Sequence, residues 1–461
     1  MNKKLFPILS AFLLLFSLIE KGQATETYRP ETSVAGFIQL PGSGRQVYNF
    51  NPGWRFFKGD IHGAESVDFD DRSWTIVSTP HTVELMPAEA SGCRNYQGPA
   101  WYRKHFVLPA ETKGKRVLIH FEAAMGKQVL YLNGKRIQEH VGGYLPFTLD
   151  LTTNGIQAGD SCLLAIFVDN SNDKSFPPGK PQYTLDFAYH GGIYRDVWMI
   201  AKSPVSITDP LDSQTVAGGG VFVHFDKISE KSAQVYVNTE LQNDNQHTET
   251  VTVETTLTDA DGKVIKRTSG KLSLKSGEKK IIRQQIEVKS PKLWSPDAPY
   301  LYKVQSRIKK GNQSIDGGIT RIGIRLAEFR GKDGFWLNGK PFVQLVGANR
   351  HQDFAYVGNA LPNSQQWRDA KRLRDAGCTI IRVAHYPQDP SFMDACDELG
   401  MFVIVATPGW QYWNKDVKFG ELVHQNTREM IRRDRNHPSV LMWEPILNET
   451  RYPLDFALKA L

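Results

Sequence analysis

Near the end of the 461-residue chain, a short apolar run from Val440 to Trp443 passes through Glu444-Pro445-Ile446-Leu447 into Asn448 and Glu449. A run that short, entered from His437-Pro438, suits a buried strand with no polar face. A carboxylate just past the C-terminal end of such a strand stands where barrel enzymes keep their chemistry. Taken alone, Glu449 reads as a solvated loop residue, because Glu is usually exposed. The preceding hundred residues reverse that reading by repeating the same strand-then-polar-loop pattern three more times. Phe342 to Val346 ends in Gly347-Ala-Asn-Arg-His351, and Thr379 to Ala384 ends in His385-Tyr-Pro387. Phe402 to Ala406 ends in Thr-Pro-Gly-Trp-Gln-Tyr-Trp413. His351, His385, Trp410, Trp413 and Glu449 are thus delivered to one end of a strand set. These types can hydrogen-bond, stack or exchange protons.

The elements between these runs read as helices. One spans about Ser364 to Ala376, with Trp367, Ala370, Leu373 and Ala376 on one face and Gly377 as its stop. In the next, Ser391 caps a run with Phe392, Ala395, Cys396 and Leu399 at helical spacing, closed by Gly400. A third covers about Glu421 to Arg435. Strand alternating with helix, with polar groups at the strand C-termini, describes a (β/α)₈ barrel, of which residues 325–461 supply about the first half.

Upstream the texture is all-β. Residues 25–202 contain runs such as Arg116 to Phe121 and Gln128 to Leu132, and Asn133-Gly134 signals a two-residue hairpin turn. The aromatics Trp54, Phe56, Phe57, Trp74, Trp101 and Tyr102 fit the core of a two-sheet jelly roll. Asp186-Phe-Ala-Tyr-His-Gly-Gly-Ile-Tyr-Arg-Asp-Val197 stands apart. Its glycine pair allows a tight backbone path that could carry Asp186 out of its own domain, although Asp186 reads equally well as a turn cap. Residues 203–324 have long Thr/Val/Lys-rich alternating strands with an Asp261-Gly262 hairpin and no cluster of catalytic types. An immunoglobulin-like spacer is expected there.

Residues 1–24 read as a secretory leader: Lys3 and Lys4, an apolar stretch from Leu5 to Ile19, then Gly22-Gln23-Ala24. The expected location is outside the cytoplasm or in a periplasm. Its removal would take away Lys3, Lys4, Lys21 and Glu20, so the formal charge of +7 would fall by two. No basic run suggests nucleic acid; the apolar run of the leader is short for a membrane span, and no other run approaches its length. Cys93, Cys162, Cys378 and Cys396 are too few for a disulfide scaffold, and free thiols are expected.

Asn349-Arg350-His351, Arg382-Val-Ala-His-Tyr-Pro387, Cys396-Asp-Glu-Leu-Gly400, Arg433-Asp-Arg-Asn-His-Pro438 and Asn448-Glu449 together resemble glycoside hydrolase family 2. Gly142-Gly-Tyr-Leu-Pro-Phe147, Gly192-Ile-Tyr-Arg-Asp-Val197 and Leu293-Trp-Ser-Pro296 fit the same family, in family order. The resemblance implies that Glu449 is a general acid/base and that Asn448 holds the sugar 2-hydroxyl. It further implies that His351 and His385 contact the sugar and that Asp186 binds it from the jelly roll. It implies a carbohydrate substrate and a secreted retaining exo-β-glycosidase. β-Galactosidase-like activity comes first, with β-glucuronidase or β-mannosidase as alternatives. A non-catalytic carbohydrate-binding protein is the alternative of another class. The residues call for no cofactor, and the need for a cation stays open. Three departures from the family pattern stand out. The link to Asn448 is one residue longer, making Glu444 a rival acid. Ala406-Thr-Pro-Gly-Trp410 replaces acidic residues common after the third strand. The nucleophilic Glu, which follows a seventh barrel strand in the family, has no counterpart here, so the chain alone is expected to be inactive.

Overall fold

The computed structural model describes residues 31–32, 38–86, 94–342 and 344–460. The leader and Cys93 lie outside them. Among the described residues Cys162, Cys378 and Cys396 are free thiols, and no helix is long and apolar enough to cross a membrane.

The first domain is a two-sheet β-sandwich, as expected for a jelly roll. A five-stranded sheet runs in the order Glu31–Thr32, Gln46–Asn49, Val197–Lys202, Arg116–Phe121, Phe147–Asp150. A six-stranded sheet runs Thr75–Val77, Trp54–Lys58, Pro99–Val107, Ser161–Asp169, Gly126–Leu132, Lys135–Gly142. Phe50, Trp54, Tyr102, Phe106 and Phe121 are fully buried between the sheets. Asn133 and Gly134, with φ of 50° and 81°, make the left-handed two-residue turn that closes the hairpin.

The second domain packs two antiparallel sheets over Val235, Val237, Leu257, Val304 and Ile322. A small meander (Ala327–Phe329, Phe335–Leu337, Lys340–Pro341) then leads into four parallel strands: Gly347–Arg350, Ile380–Val383, Phe402–Ala406 and Val440–Glu444. Helices Asn363–Asp375, Pro390–Leu399 and Val417–Asp434 connect them as βαβ units.

Three sequence expectations are corrected. The first barrel strand is Gly347–Arg350, not Phe342 to Val346. Phe342 and Leu345 instead pack with Trp294, Phe335 and Phe402, plugging the bottom of the sheet. Gly347 then permits close strand approach, since a Cβ there would meet the Ile380 carbonyl oxygen at 1.7 Å. Second, the helix after His385 is capped by Asp389, whose Oδ1 accepts the Ser391 N–H at 2.8 Å. Pro390, with no N–H to satisfy, occupies the first turn. Third, the next helix begins at Val417, because the Asp416 side chain accepts from the Lys418 N–H.

Buried polar groups fix the domains to one another. Arg195 of the jelly roll donates to the Tyr144 and Pro387 carbonyls at 3.0 and 2.9 Å and to Gln352 Oε1 at 2.9 Å. Trp294 of the second domain stacks edge-on against Phe402 and donates to the Asp397 carbonyl at 2.9 Å. Asn436 exchanges two hydrogen bonds with the Val221–Val223 backbone. Several of the motif residues noted in the sequence therefore act as inter-domain fastenings.

Candidate active site

Glu449 sits in a left-handed turn, φ 58°, five residues past the end of the fourth parallel strand. Asn448 and Glu449 are both exposed. Of the two Glu449 carboxylate oxygens, Oε2 alone takes a hydrogen bond from a described residue, Gln411 Nε2. Glu444 is differently placed. It belongs to the strand itself, and Arg382 grips both its oxygens at 2.8 Å. The same guanidinium donates to Asn448 Oδ1 at 3.1 Å. The second strand thereby fixes the turn that carries Glu449.

The first and second strands deliver the histidines. The rings of His351 and His385 lie 5.8 Å apart, edge to face. His351 Nδ1 is 3.2 Å from Tyr386 Oη, and Tyr386 is stacked at 4.0 Å on Tyr144 of the jelly roll. Burial holds the His351 imidazole below the usual range and pushes His385 down to about 4. Both are neutral at pH 7 and act as hydrogen-bonding groups, not as cations. His385 Nδ1 is buried with no hydrogen-bond partner among the described residues.

From the third strand, Trp410 lies flat against His385, with ring centroids 4.9 Å apart and planes within 4°. Its Nε1 is also buried without a hydrogen-bond partner among the described residues. Trp410 (φ 131°), Gln411 (φ 52°) and Glu449 thus place three non-glycine residues in the left-handed region within one cluster. Such strain persists only where the surroundings over-determine it, and it gathers at functional sites. Trp413 goes elsewhere: it packs on Phe419, Tyr452 and Phe456 beside the third helix. The structure does not bring it to the histidines.

The jelly roll completes the group. Phe187 stacks on His351 at 4.9 Å and reaches His385 and Trp410. The adjacent Asp186 is exposed, and its charge acts on both histidines and on Lys180. The glycine pair has the tight path expected of it. A Cβ on Gly191 would meet the Asn170 side chain at 2.9 Å, and one on Gly192 (φ 118°) would meet the His81 carbonyl at 2.5 Å. His190 is buried, 3.9 Å from Asp353. Sequence reasoning missed Lys180, Phe187, Arg382 and Gln411 as members of the cluster. Arg382 lay in a quoted motif, but Lys180 and Gln411 are 231 residues apart and carry no local signal.

Cavities of about 820 and 390 Å³ lie away from this group, at the seams between domains. Asp394, Asp397 and His437 lie close enough together to hold an ion, but Arg321 already pairs with Asp394 and His437 with Asp397. That donor set is filled by protein cations, which does not fit a metal site.

A jelly roll and an immunoglobulin-like sandwich fastened to a parallel barrel sheet, with carboxylate, histidines and tryptophan at its C-terminal end, define the architecture of a multidomain glycoside hydrolase. Residues 219–325 match glycosyl hydrolases family 2, and residues 64–204 and 329–460 match the sugar binding domain and the TIM barrel domain of the same family. The chain belongs to that family. It is 36% identical over 419 residues to a β-galactosidase of Thermoanaerobacter pseudethanolicus, covering 90% of this chain and 53% of that one. It is 32% identical over 421 residues to a β-glucuronidase of Formosa agariphila, covering 88% and 42%. A solved structure of Bacteroides uniformis β-glucuronidase 2, covalently bound to cyclophellitol-6-carboxylate aziridine, superposes with a TM-score of 0.78. The identity is 32%, over 87% of this chain and 46% of that one. The chain thus spans about half the length of the curated relatives it matches.

Proposed function

We propose that this protein is a secreted retaining exo-β-glycosidase, with terminal β-galactosides as its first substrate class and Glu449 as its general acid/base. The observation that carries this reading is the contrast between two carboxylates. Glu444 is locked by Arg382 on both oxygens, whereas Glu449 stands exposed past the strand end with Oε1 free of partners among the described residues. A carboxyl that must give a proton to the leaving oxygen and then take one from water needs that freedom. Neutral His351 and His385, together with Asn448 and Asp186, offer the hydrogen bonds that sugar hydroxyls require. A second carboxylate must form the covalent intermediate, and no described residue is assigned that role. The leader-like residues 1–24 support export. β-Glucuronidase activity is the second reading, favoured by the likeness to the Formosa and Bacteroides enzymes.

The test is Glu449→Gln in the active protein that carries this sequence, assayed on aryl β-galactosides and β-glucuronides. Loss of 100-fold or more is expected on substrates with poor leaving groups, about the usual contribution of a general acid. Activated substrates should lose less in the first step, and azide should restore the second. The same pattern in Glu444→Gln, with Glu449→Gln near wild type, would transfer the role to Glu444.

A further inference from the structure

Two residues outside these roles join Glu449 in one hydrogen-bonded chain. Lys180 Nζ, from the jelly roll, donates to Gln411 Oε1, and Gln411 Nε2 donates to Glu449 Oε2. We propose that Lys180 and Gln411 are positioning residues, which hold Glu449 by Oε2 and leave Oε1 to meet the substrate. The proposal rests on the reading of Glu449 as the acid/base.

The direction of the chain follows from what each group can offer. An ammonium has three donors and no acceptor, so Lys180 can meet only the oxygen of the Gln411 amide. That choice turns the amide nitrogen towards Glu449, where a carboxylate oxygen accepts. Without the ammonium the amide has two orientations of similar geometry. One of them sets an amide oxygen against the carboxylate, where an ionised Glu449 finds no donor. Lys180 thus decides the orientation of Gln411, and Gln411 decides which oxygen of Glu449 is left for chemistry.

Both residues are held in place from behind. The Gln411 backbone N–H donates to Thr450 Oγ1 at 2.8 Å, tying it to the residue after Glu449. Lys180 Nζ lies 4.3 Å over the Trp410 ring. Its loop is pressed onto the barrel: a Cβ on Gly179 would meet the Tyr412 ring at 2.5 Å, and Asn414 Nδ2 donates to the Lys174 carbonyl at 2.8 Å. Among the described residues no carboxylate lies within 4 Å of Lys180 Nζ, so its direct hydrogen bond goes to the neutral amide alone. Burial draws the ammonium below its ordinary range, against the pull of Asp186 and Glu449. The first domain therefore reaches the acid/base of the third through Lys180 and, from it, Gln411.

Lys180→Met, Lys180→Arg, Gln411→Leu and Glu449→Gln would be compared in the active protein on aryl β-glycosides of graded leaving-group acidity. Displacement of a reacting group by even 1 Å costs up to about 100-fold. Lys180→Met and Gln411→Leu are expected to lower kcat about tenfold for poor leaving groups, to spare activated ones and to leave KM within about twofold. Lys180→Arg, which keeps a donor-only cation, should recover most of the loss. Uniform loss across all leaving groups, or none, in both Lys180→Met and Gln411→Leu would overturn the proposal. If Glu449→Gln alone shows the steep dependence, the acid/base reading survives and only the positioning chain falls. If Glu449→Gln shows none, both fall together.

Discussion

Arg382 and Glu444 face each other across the parallel sheet in a two-pronged ion pair, 2.8 Å on each arm, with side chains only 19% and 21% exposed. The pair spans from the second strand to the fourth, and the same Arg382 Nη2 that meets Glu444 Oε1 also donates to Asn448 Oδ1. It is therefore a structural clamp on the turn that presents Glu449. Removing one member of a largely buried pair strands the other charge, at a cost of about 3 kcal/mol. Arg382→Met is expected to show that loss in urea denaturation, and Glu444→Gln somewhat less because an amide can still accept. A change below about 0.5 kcal/mol in both would show that the clamp carries no load.

Asp186 is the residue on which the sequence left two readings open. The structure sets it, exposed, beside Phe187, which stacks on His351. A carboxylate there accepts from sugar hydroxyls, so Asp186→Ala is expected to weaken monosaccharide binding by about 1.5–3 kcal/mol. Circular dichroism should be unchanged, since an exposed side chain leaves no buried group unpaired. Equal galactose and glucuronate inhibition constants for variant and parent would return Asp186 to the status of a turn residue.

The parts of the fold that were legible are those with strong local periodicity. Three barrel strands, three helices and the Asn133-Gly134 hairpin follow from patterning and turn chemistry alone. The first barrel strand was not legible, because Phe342 and Leu345 are as apolar as any strand yet serve as a plug beneath the sheet. Trp410 and Trp413 look alike in sequence, and only packing separates them: one lies on His385, the other among helix aromatics. Lys180 was invisible for a further reason. Its role depends on the docking of two domains, which no window of sequence encodes.

Burial is the first cause that pushes His385 down to about 4, with the charges of Arg382 and His351 acting in the same direction. The unfolded chain should titrate near 6.5. Between those values the unfolded state binds the extra proton, so this histidine's contribution is intact above about pH 6.5 and is lost as pH falls towards 4. Nitrogen-detected NMR should find His385 as a neutral imidazole at pH 5.5. Galactose binding that depends on it should hold from pH 7.5 down to about 5.5. An imidazolium signal for His385 at pH 6 would show that burial does not control it.

His437 behaves in the opposite sense. It lies just before the fourth barrel strand, with Nδ1 2.6 Å from Asp397 Oδ2, while Asp397 Oδ1 accepts the Ser439 N–H at 3.0 Å. The Asp397 carbonyl takes Trp294 Nε1, so the same residue also fastens the second domain to the barrel. Burial draws the His437 imidazole down, but the attraction and hydrogen bond of Asp397, aided by Asp394 and Asp434, outweigh it and push it up to about 9. A raised folded value means that the stabilisation is fully present below about pH 6.5 and is lost as pH climbs through 9. Lys202, drawn down mainly by burial to about 8, contributes with the opposite sign in the upper part of that window. Subtraction of a variant is therefore needed to isolate His437. The urea midpoint of the parent minus that of His437→Gln should shrink steadily between pH 6.5 and 9.5. Asp397→Asn should cost about 3 kcal/mol at pH 6 and much less at pH 10, where the imidazole is neutral in either protein. A difference that stays constant with pH would mean that His437 is neutral throughout and that its bond to Asp397 is an uncharged one.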